Sequence, residues 1–475
     1  MNLEERLALI PKPHEAQVTR QEKVGYLVPP SPFVVPIGWE WCHTAPFEGP
    51  SIVATIFKGL GFQFELLDQR DDNNVDSLKG KFKDFDLLGI FTTEDSFPYL
   101  KKVIELAKKE NPKIKIILGG ALVSSVPELI MNNTLADYAI LGEGELTLLE
   151  FIDHWADKKT HPKDILGMAW KNKKQETIIN PRRPQMKNLD IVPFQDFSVW
   201  KRFEGKDIPE IYLSTTRGCH CQCRFCYRTH PQMAYKTPKR VKEEILYLKK
   251  WNFKHAWLND LSFTTIPERV EELMKEAFSV HEFSWNCFAR VTEVDERRLE
   301  IMKMHGCNII LYGFESVSQA VLDAYNKGIN QNHMIKAIEL TRKAQIKVGG
   351  LFIVGAQEDT KESLNDMISF ARRFQEVTRV KYLSILPGTP MYWDALQKGI
   401  IKDPLAHLDF LAREQSIEED IDEEGFIMVA DKISKEDLRL AYQAINRQIE
   451  VRPFEYENEE NRFLENPLPF QKRLV

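Results

Sequence analysis

The sequence lacks the long apolar runs and concentrated basic segments that are typical of membrane proteins and nucleic-acid-binding proteins. No apolar stretch approaches the roughly 20 residues that a membrane span needs, and the N-terminal "MNLEERLALIPKPHEAQ" has no signal-peptide core. Lysine and arginine are scattered and the net charge is −6, unlike the charge pattern of a surface that binds a phosphate backbone. We therefore expect a cytoplasmic protein with no membrane span and no nucleic acid partner.

Cysteine is also scarce, with seven in 475 residues. Four of the seven nevertheless fall in one short stretch, "CHCQCRFC", from Cys219 to Cys226. A reducing cytosol disfavours structural disulfides, so this stretch predicts metal binding instead. The remaining three, Cys42, Cys287 and Cys307, stand alone, and we interpret them as small buried hydrophobic residues.

The N-terminal part alternates short β-rich runs with amphipathic ones from Lys23 onward. Five β/α units can be traced, and near-continuous Ile, Leu and Val in runs such as "IKIIL" indicates strands that are buried on both faces. This pattern predicts a doubly wound parallel sheet over about residues 1–156 of a chain too long for a single hydrophobic core. No GxGxxG follows the first strand, so a bound dinucleotide is not favoured.

Ligands of doubly wound sheets lie beyond the carboxyl ends of the strands. In this chain that edge brings four loops around one crevice, over residues 29–32, 92–95, 119–124 and 142–145. The residues predicted to face a ligand there are Thr92, Thr93, Glu94, Gly119, Gly120, Ser124, Gly142, Glu143 and Gly144. The glycines would let a bulky ligand approach the backbone, although such glycines are also ordinary turn residues.

Two tryptophans, Trp39 and Trp41, follow the first strand in "PIGWEWCHTAPFEG". From this place they would face the same crevice, where they could contact a cofactor or a substrate. Tryptophans in a loop between domains also serve as interface packing. We predict that one of the two lines the crevice.

The cysteine stretch contains a CxxxCxxC set formed by Cys219, Cys223 and Cys226, with Cys221 as an additional thiol. A single tight loop can bring three thiolates to one [4Fe-4S] cluster and leave its fourth iron without a protein ligand. The alternative is a structural zinc site, which would close its coordination sphere with the fourth cysteine or a neighbouring histidine. Zinc sites usually pair two knuckles that are distant in sequence, and no second knuckle exists here, so we favour the cluster.

The loop that carries these cysteines follows the β-like run "IYLSTTRG" and precedes the helical run "TPKRVKEEILYLKKW". A ligand loop between a first strand and a helix is the arrangement expected in a β/α barrel. The chemistry of such barrels takes place at the carboxyl ends of the strands.

The segments on either side of this barrel pattern are less regular. Residues 157–205 are polar and predict a connector with one hairpin in "GMAWKNKKQETIIN". Residues 401–475 predict a mostly helical region in which Ser434 and Asp437 form a capping box, with Asp in place of the usual Glu. The tail after Val451, with aromatics between charges, either packs on the outside or covers the barrel mouth.

The motif "RGCHCQCRFC" resembles that of the radical S-adenosylmethionine (SAM) superfamily. The similarity continues to about residue 400 through "HAWLNDLSFTT", "WNCFARV", "CNIILYGFESVSQAVLDAYNKG", "GGLFIVGAQEDTKES" and "ILPGTPMYWDALQKGII". The resemblance implies a partial (β/α)6 barrel over residues 206–400. The implied SAM-binding residues are Phe225, Asn259, Asp260, Arg290, Glu315, Ser316 and Val354. Taken singly, such residues also serve as helix caps or surface salt bridges.

The N-terminal runs "GPSIVATIFKGLG", "IKIILGGALVSSVPE" and "ADYAILGEGELTLLEF" together resemble the cobalamin-binding domain that precedes many radical SAM enzymes. The resemblance implies cobalamin as the ligand of the predicted crevice. The sequence departs from the wider cobalamin family because no Asp-x-His-x-x-Gly follows the second or third strand. No histidine is therefore expected as a lower axial ligand.

These resemblances imply an enzyme that uses a [4Fe-4S] cluster, SAM and cobalamin, with a reducing electron donor such as flavodoxin or ferredoxin. In the family, SAM yields a 5′-deoxyadenosyl radical, and methylcobalamin can pass its methyl group to the carbon from which that radical takes hydrogen. We therefore interpret the chain as a C-methyltransferase that acts on an unactivated carbon of a small-molecule or peptide substrate.

Two other functions stay open at this stage. The first is radical SAM cyclisation, ring contraction or carbon–carbon coupling without methyl transfer, because the same domains serve both chemistries. The second is a non-catalytic cobalamin or redox sensor, although the sequence contains no recognisable output module such as a helix-turn-helix.

The cysteine assignment predicts the outcome of four single substitutions. Cys219→Ala, Cys223→Ala and Cys226→Ala should each abolish cluster binding and SAM cleavage, because each removes one of three thiolate ligands. Cys221→Ala should spare both. Iron and sulfide analysis after anaerobic reconstitution measures this, and a C221A protein without a cluster beside a C219A protein with one would contradict the assignment.

Overall fold

The computed structural model describes residues 1–30, 45–204, 210–227, 232–374, 376–414, 430 and 432–451. These residues form two parallel-sheet units, each covered by helices, and a set of C-terminal helices that contacts both. Trp39 and Trp41, which we predict to line the crevice, lie outside the described residues, as does the tail after Val451.

The first unit contains a seven-stranded sheet in the order β2-β1-β3-β4-β5-β6-β7, in which the first five strands are parallel and the last two antiparallel. Its strands are β1 (Lys23–Val28), β2 (Gln63–Asp68), β3 (Leu87–Thr92), β4 (Lys115–Gly120), β5 (Tyr138–Ile140), β6 (Met168–Lys171) and β7 (Thr177–Ile179). Its helices are α1 (Leu3–Ala8), α2 (Glu48–Gly59), α3 (Phe97–Glu110), α4 (Ala121–Ser125), α5 (Pro127–Asn132) and α6 (Glu145–Trp155).

This architecture confirms the doubly wound sheet, and burial explains its strands. Val24, Leu27, Leu88, Ile90 and Leu118 are fully buried, with hydrophobic cores on both faces of the sheet. Two local features add detail to the predicted β/α pattern. The polar segment between β2 and β3 contains a short 3-10 helix, Val75–Leu78, and the hairpin predicted in the connector is β6–β7, which extends this sheet.

The second unit contains six parallel strands that neighbour one another in sequence order, which confirms a half-barrel. The strands are β8 (Ile211–Leu213), β11 (His255–Leu258), β12 (Ser284–Ala289), β13 (Cys307–Glu315), β14 (Lys347–Val354) and β15 (Val377–Tyr382). The short pair β9 (Thr216–Arg217) and β10 (Ala234–Tyr235) lies between β8 and the first helix of the unit. The helices are α7 (Pro238–Lys250), α8 (Pro267–Glu276), α9 (Glu296–Met304), α10 (Gln319–Ala324), α11 (Gln331–Lys343) and α12 (Lys361–Arg373).

Side chains alternate between the two faces of this half-barrel sheet. One face packs under the helices and includes both described lone cysteines, Cys287 and Cys307, which are fully buried as predicted. The other face carries a separate apolar cluster, whose members are Tyr212, Trp257, Phe288, Ile309 and Leu311.

The C-terminal helices hold the two units together. Tyr392 and Ala395 of α13 (Pro390–Gln397) and Leu408 of α14 (Pro404–Glu414) join the core of the first unit. Leu438 and Ile445 of α15 (Lys435–Val451) pack on the second unit. Among the described residues, none of the helices has the length and apolarity to cross a membrane.

The predicted capping box is present at the start of α15. Asp437 accepts hydrogen bonds from the Ser434 backbone N–H at 2.9 Å and from the Ser434 hydroxyl at 2.8 Å. In return, the Asp437 N–H donates to the Ser434 hydroxyl at 3.1 Å. Asp437 therefore forms with Ser434 the two reciprocal hydrogen bonds that a glutamate usually forms at the start of a helix.

A buried arginine ties the connector to the first unit. Arg70 donates hydrogen bonds of 2.9 Å to both carboxylate oxygens of Asp68 and one of 2.7 Å to the carbonyl of Ala45. Its guanidinium also lies over the rings of Phe47 and Trp200, at 4.5 and 4.7 Å from their centroids. Three segments that are distant in sequence therefore depend on one cation.

Arg70→Met should destabilise the protein by about 3 kcal/mol, because the substitution leaves a buried carboxylate with only part of its pairing. The measurement is the shift of the urea midpoint at constant slope. Arg297→Met is the control, since the Arg297 side chain is 78% exposed in its ion pair with Glu271 and should contribute less than about 1 kcal/mol. Equal shifts in the two variants would contradict the role of Arg70.

Candidate functional site

The cysteine loop begins at the carboxyl end of β8, and a buried carboxylate holds its entry. Asp260, directly after β11, accepts the N–H groups of Thr215 and Thr216 at 2.7 and 2.8 Å and the Thr215 hydroxyl at 2.5 Å. Burial raises the pKa of Asp260. Both carboxylate oxygens of Asp260 accept hydrogen bonds from the loop, so Asp260 positions the loop. Asn259, the other predicted SAM-binding residue at this strand end, is exposed.

Within the loop, Cys221 supports Cys219. The Cys221 N–H donates to the Cys219 sulfur at 3.4 Å. A hydrogen bond from the Cys221 side chain is the main cause that lowers the pKa of Cys219 to about 6. Cys221 is therefore the hydrogen-bond donor of the pair and Cys219 the acceptor. That Cys219, and not Cys221, is a cluster ligand stays a prediction.

The other two predicted ligands lie close to this pair. Burial, followed by the charges of Cys223 and Cys219, raises the pKa of Cys226 to about 11. None of the described cysteines forms a disulfide. Three neighbouring thiols of this kind fit an iron–sulfur cluster with one open iron.

A different metal set also lies in the loop. The donor atoms of Cys219, His220 and Cys221 lie within 4.8 Å of one another. His220, however, is 3.2 Å from the carboxylate of Glu293, and Cys221 is the hydrogen-bond donor to Cys219. A zinc ion held by these three residues would break the hydrogen bond from Cys221 to Cys219, so we retain Cys219, Cys223 and Cys226 as the predicted ligands.

A short segment after α10, Tyr325–Lys327, holds the cysteine loop through its backbone. The Tyr325 carbonyl accepts the N–H of Arg224 at 3.0 Å, and the Asn326 side chain donates to the Gln222 carbonyl at 3.0 Å. The Lys327 carbonyl accepts from Arg290, one of the predicted SAM residues. Sequence reasoning missed this function, although "YNKG" belongs to a motif that it quoted.

Glu315 and Ser316, two of the predicted SAM-binding residues, are both buried, and Glu315 forms an ion pair with Lys327. Glu315 has φ +61° at an irregular position of β13. Its carboxylate accepts a hydrogen bond of 2.6 Å from the Lys327 ammonium. A side chain at Gly313 would place its Cβ 2.4 Å from the Glu315 oxygen. Ser316 is fully buried and accepts the Ser318 N–H at 3.2 Å.

For Val354, another of the predicted SAM-binding residues, strand alternation decides whether the side chain is available. The ring of Phe225 lies 5.0 Å from that of Tyr325, and Ile353 packs in the same cluster. Val354, the predicted residue, is fully buried in the core on the opposite face. Val354 can therefore offer only its backbone, and Ile353 is the side chain that sequence reasoning missed.

The predicted cobalamin loops are hydrogen-bonded to one another at the carboxyl edge of the first sheet. The Thr92 hydroxyl donates to the Gly119 carbonyl, and the Gly142 N–H donates to the Ser124 hydroxyl, both at 3.0 Å. A Cβ at Gly119 or Gly142 would meet nothing within 4 Å, so bare backbone faces open space there. This cradle fits a broad ligand such as a corrin.

The remaining residues of the predicted crevice make contacts within the chain. A Cβ at Gly120 would lie 2.4 Å from the Thr92 carbonyl oxygen, so this glycine allows close packing of two loops. A Cβ at Gly144 would meet only Ile140, at 3.8 Å. The Thr93 hydroxyl donates to Asp95 at 2.5 Å, in the loop that also carries Glu94.

The acidic side chains of the Gly142–Glu145 loop face the cysteine loop. Arg217, two residues before Cys219, pairs with Glu145 at 2.5 Å and with Glu143 at 3.6 Å. Glu143 also accepts the N–H of Met186 at 2.6 Å. The predicted cofactor residue Glu143 is thus part of an ionic link between the two units.

Family comparisons agree with this geometry. Residues 213–371 match the family model of the radical SAM superfamily, and residues 48–152 match that of the B12 binding domain. The chain is a radical SAM enzyme with a B12 binding domain. Its cofactors are a [4Fe-4S] cluster, SAM and cobalamin.

Several curated proteins are similar in sequence to this radical SAM enzyme. An uncharacterized methyltransferase of Pyrococcus horikoshii is 26% identical over 379 residues, or 74% of this chain and 81% of the relative. The bacteriochlorophyllide d C-8(2)-methyltransferase of Chlorobaculum tepidum is 27% identical over 71% of this chain and 73% of its own. The anaerobic magnesium-protoporphyrin IX monomethyl ester cyclase of Rubrivivax gelatinosus is 25% identical over 60% of this chain and 54% of its own.

Two solved structures share the fold. The radical SAM methyltransferase TsrM from Kitasatospora setae, with cobalamin and a [4Fe-4S] cluster bound, is 16% identical and aligns with a TM-score of 0.69 over 89% of this chain and 91% of its own. The cobalamin-dependent radical enzyme OxsB, also 16% identical, aligns with a TM-score of 0.69 over 94% of this chain and 70% of its own.

The link between the two units predicts a selective effect of Arg217→Met. The substitution leaves two buried glutamates without their cation next to the cysteine loop, so the protein should lose stability and retain less iron. Arg6→Met is the matched control, because Arg6 pairs at 2.6 Å with Asp153 on the same helix, α6, away from the loop.

The two variants are compared by urea denaturation and by iron content after anaerobic reconstitution. We expect both proteins to lose stability and only R217M to retain less iron than the wild type. Equal iron contents would show that Arg217 contributes to stability alone.

Proposed function

We propose that this radical SAM enzyme is a C-methyltransferase that acts on an unactivated carbon. The observation that carries the proposal is the 2.5 Å contact between Arg217 and Glu145, which joins the cysteine loop to the cobalamin cradle. When bound, the cluster supplies the electron that splits a carbon–sulfur bond of SAM, and cobalamin supplies a methyl group. A shared crevice would let both act on one substrate atom.

The chain itself would bind and orient the reactants. Cys219, Cys223 and Cys226 would hold the cluster, and the buried pair of Glu315 and Lys327 would present a fixed carboxylate beside SAM. Phe225 would offer its ring to the adenine. These groups are held by contacts to neighbouring segments, so little reorganisation is needed when the ligands bind.

The inner face of the half-barrel would exclude water from the reaction. Its apolar cluster of Trp257, Ile309 and Leu311 is buried, and Tyr212 and Phe288 beside it are partly exposed. An apolar wall protects a reactive carbon from side reactions. We expect the substrate to be a small molecule or a peptide, and the electron donor to be a protein such as flavodoxin or ferredoxin.

The similarity to methyltransferases of Pyrococcus horikoshii and Chlorobaculum tepidum supports methyl transfer. The similarity to a cyclase of Rubrivivax gelatinosus supports the second candidate, a cyclisation without methyl transfer. The two candidates differ in their use of SAM. Methyl transfer consumes one SAM as a methyl donor in addition to the SAM that is reductively cleaved, whereas cyclisation requires only cleavage.

The products formed from SAM therefore test the proposal. Protein produced with cobalamin supplied is reconstituted anaerobically and incubated with SAM and a chemical reductant, and 5′-deoxyadenosine and S-adenosylhomocysteine are quantified by mass spectrometry. We expect both products, with S-adenosylhomocysteine formed only when cobalamin is bound. The Cys226→Ala protein is the control and should give no 5′-deoxyadenosine.

Other outcomes separate the alternatives. Formation of 5′-deoxyadenosine without S-adenosylhomocysteine, in protein that contains cobalamin, would contradict methyl transfer and favour the cyclisation class. Formation of neither product by protein with an intact cluster would contradict both candidates.

A further inference from the structure

Three segments of the chain meet between the cobalamin cradle and the half-barrel. They are the loop after β3 with Glu94 and Asp95, Tyr227 next to Cys226, and Lys381 on β15. The carboxylates of Glu94 and Asp95 act electrostatically on Tyr227, and Lys381 acts on both carboxylates. We call this group of four residues the acidic crevice.

The packing of β15 against the first unit brings these segments together. Beyond β15, Gly388 lies so close to the first unit that a Cβ there would come within 2.8 Å of Ser125, at the end of α4. Ile385 joins the core of the first unit. The position of Lys381 opposite the loop after β3 is therefore a consequence of core packing.

Asp95 presents one unused acceptor in this crevice. Asp95 is 4% exposed, and one of its carboxylate oxygens accepts a hydrogen bond of 2.5 Å from the Thr93 hydroxyl. The second oxygen is buried and has no hydrogen-bond partner among the described residues. A buried carboxylate oxygen without a donor is costly, so this position is suited to a ligand that brings an N–H or O–H group.

Tyr227 provides a second polar group without a partner in the described part of the chain, its phenolic hydroxyl. Its hydroxyl is buried and has no hydrogen-bond partner among the described residues. Glu94 and Asp95 share the ammonium of Lys381 in the acidic crevice. A cationic ligand would therefore stabilise the ionised forms of both acids. Burial, and then the charge of Glu94, raise the pKa of Asp95 to about 7, as expected for acids that lack enough positive charge nearby.

We propose that the acidic crevice binds a protonated amine of the substrate, with Asp95 as its principal acceptor. This inference rests on the proposed function, since it names the substrate class of the same site. An ammonium group would supply both the missing donor for Asp95 and the missing positive charge, in a charge-assisted hydrogen bond. The substrate would then be an amine-bearing small molecule or a peptide with an amino group near the reacting carbon.

An N–H donor could also come from cobalamin, because the corrin ring carries amide side chains. The two sources share the same chemistry at Asp95 but differ in charge. An amide donor is neutral, whereas an amine is cationic at neutral pH. Binding of small probes to protein that already contains cobalamin therefore separates the two.

The experiment uses the full-length protein reconstituted with cluster and cobalamin, in the presence of SAM. Calorimetric titrations with hexylammonium, hexanol and hexanoate compare a cation, a neutral molecule and an anion of similar size. We expect hexylammonium to bind about tenfold more tightly than hexanol and hexanoate. Asp95→Asn should abolish this preference, and Tyr227→Phe, a milder change, should weaken it about threefold.

Asp72→Asn is the control, because it removes one partly exposed carboxylate from the same unit and should keep the preference. Equal binding of the three probes to the wild type would overturn the proposal. A D95N protein that loses cobalamin affinity would also overturn it, by assigning the donor to the corrin amides. These titrations need no turnover, so they can succeed where S-adenosylhomocysteine fails to form, and a failure of this proposal can be distinguished from a failure of the proposed function.

Discussion

The arrangement of this protein depends on one charged contact, between Arg217 and the glutamates of the Gly142–Glu145 loop. Arg217 lies two residues before the first cluster cysteine, and the loop lies at the carboxyl edge of the cobalamin sheet. Buried charges need partners, so moving the two segments apart would leave a buried charge without its partner. The contact therefore helps to set where the cysteine loop stands relative to the first sheet, at whose edge we predict cobalamin to bind.

The cysteine loop is held mainly by backbone and buried polar contacts. Asp260 fixes its entry, and the segment Tyr325–Lys327 fixes its middle through Gln222 and Arg224. The same Lys327 binds Glu315, so support of the loop and placement of the SAM residues are physically connected. Residues that a motif suggests as ligand contacts can therefore act by positioning other groups, as Asp260 does.

Between the cofactor sites, the chain leaves polar groups without partners. Asp95 and Tyr227 come from different units and each has a buried, unused oxygen within the described structure. Such groups are uncommon in folded proteins, and they occur where a ligand completes the hydrogen bonding. In our proposal, these groups and the apolar inner face of the half-barrel would bind a substrate that is polar at one end.

The sequence by itself determined the features that depend on local pattern. The five β/α units, the cysteine spacing and the capping box of Ser434 with Asp437 follow from periodicity and from the chemistry of neighbouring residues. The tertiary structure decided which side chains face the site. Ile353 and not Val354 packs against the same cluster as Phe225, because strand alternation places adjacent residues on opposite faces. Glu143 binds Arg217, because the partner of a buried charge comes from a distant segment that only folding brings near.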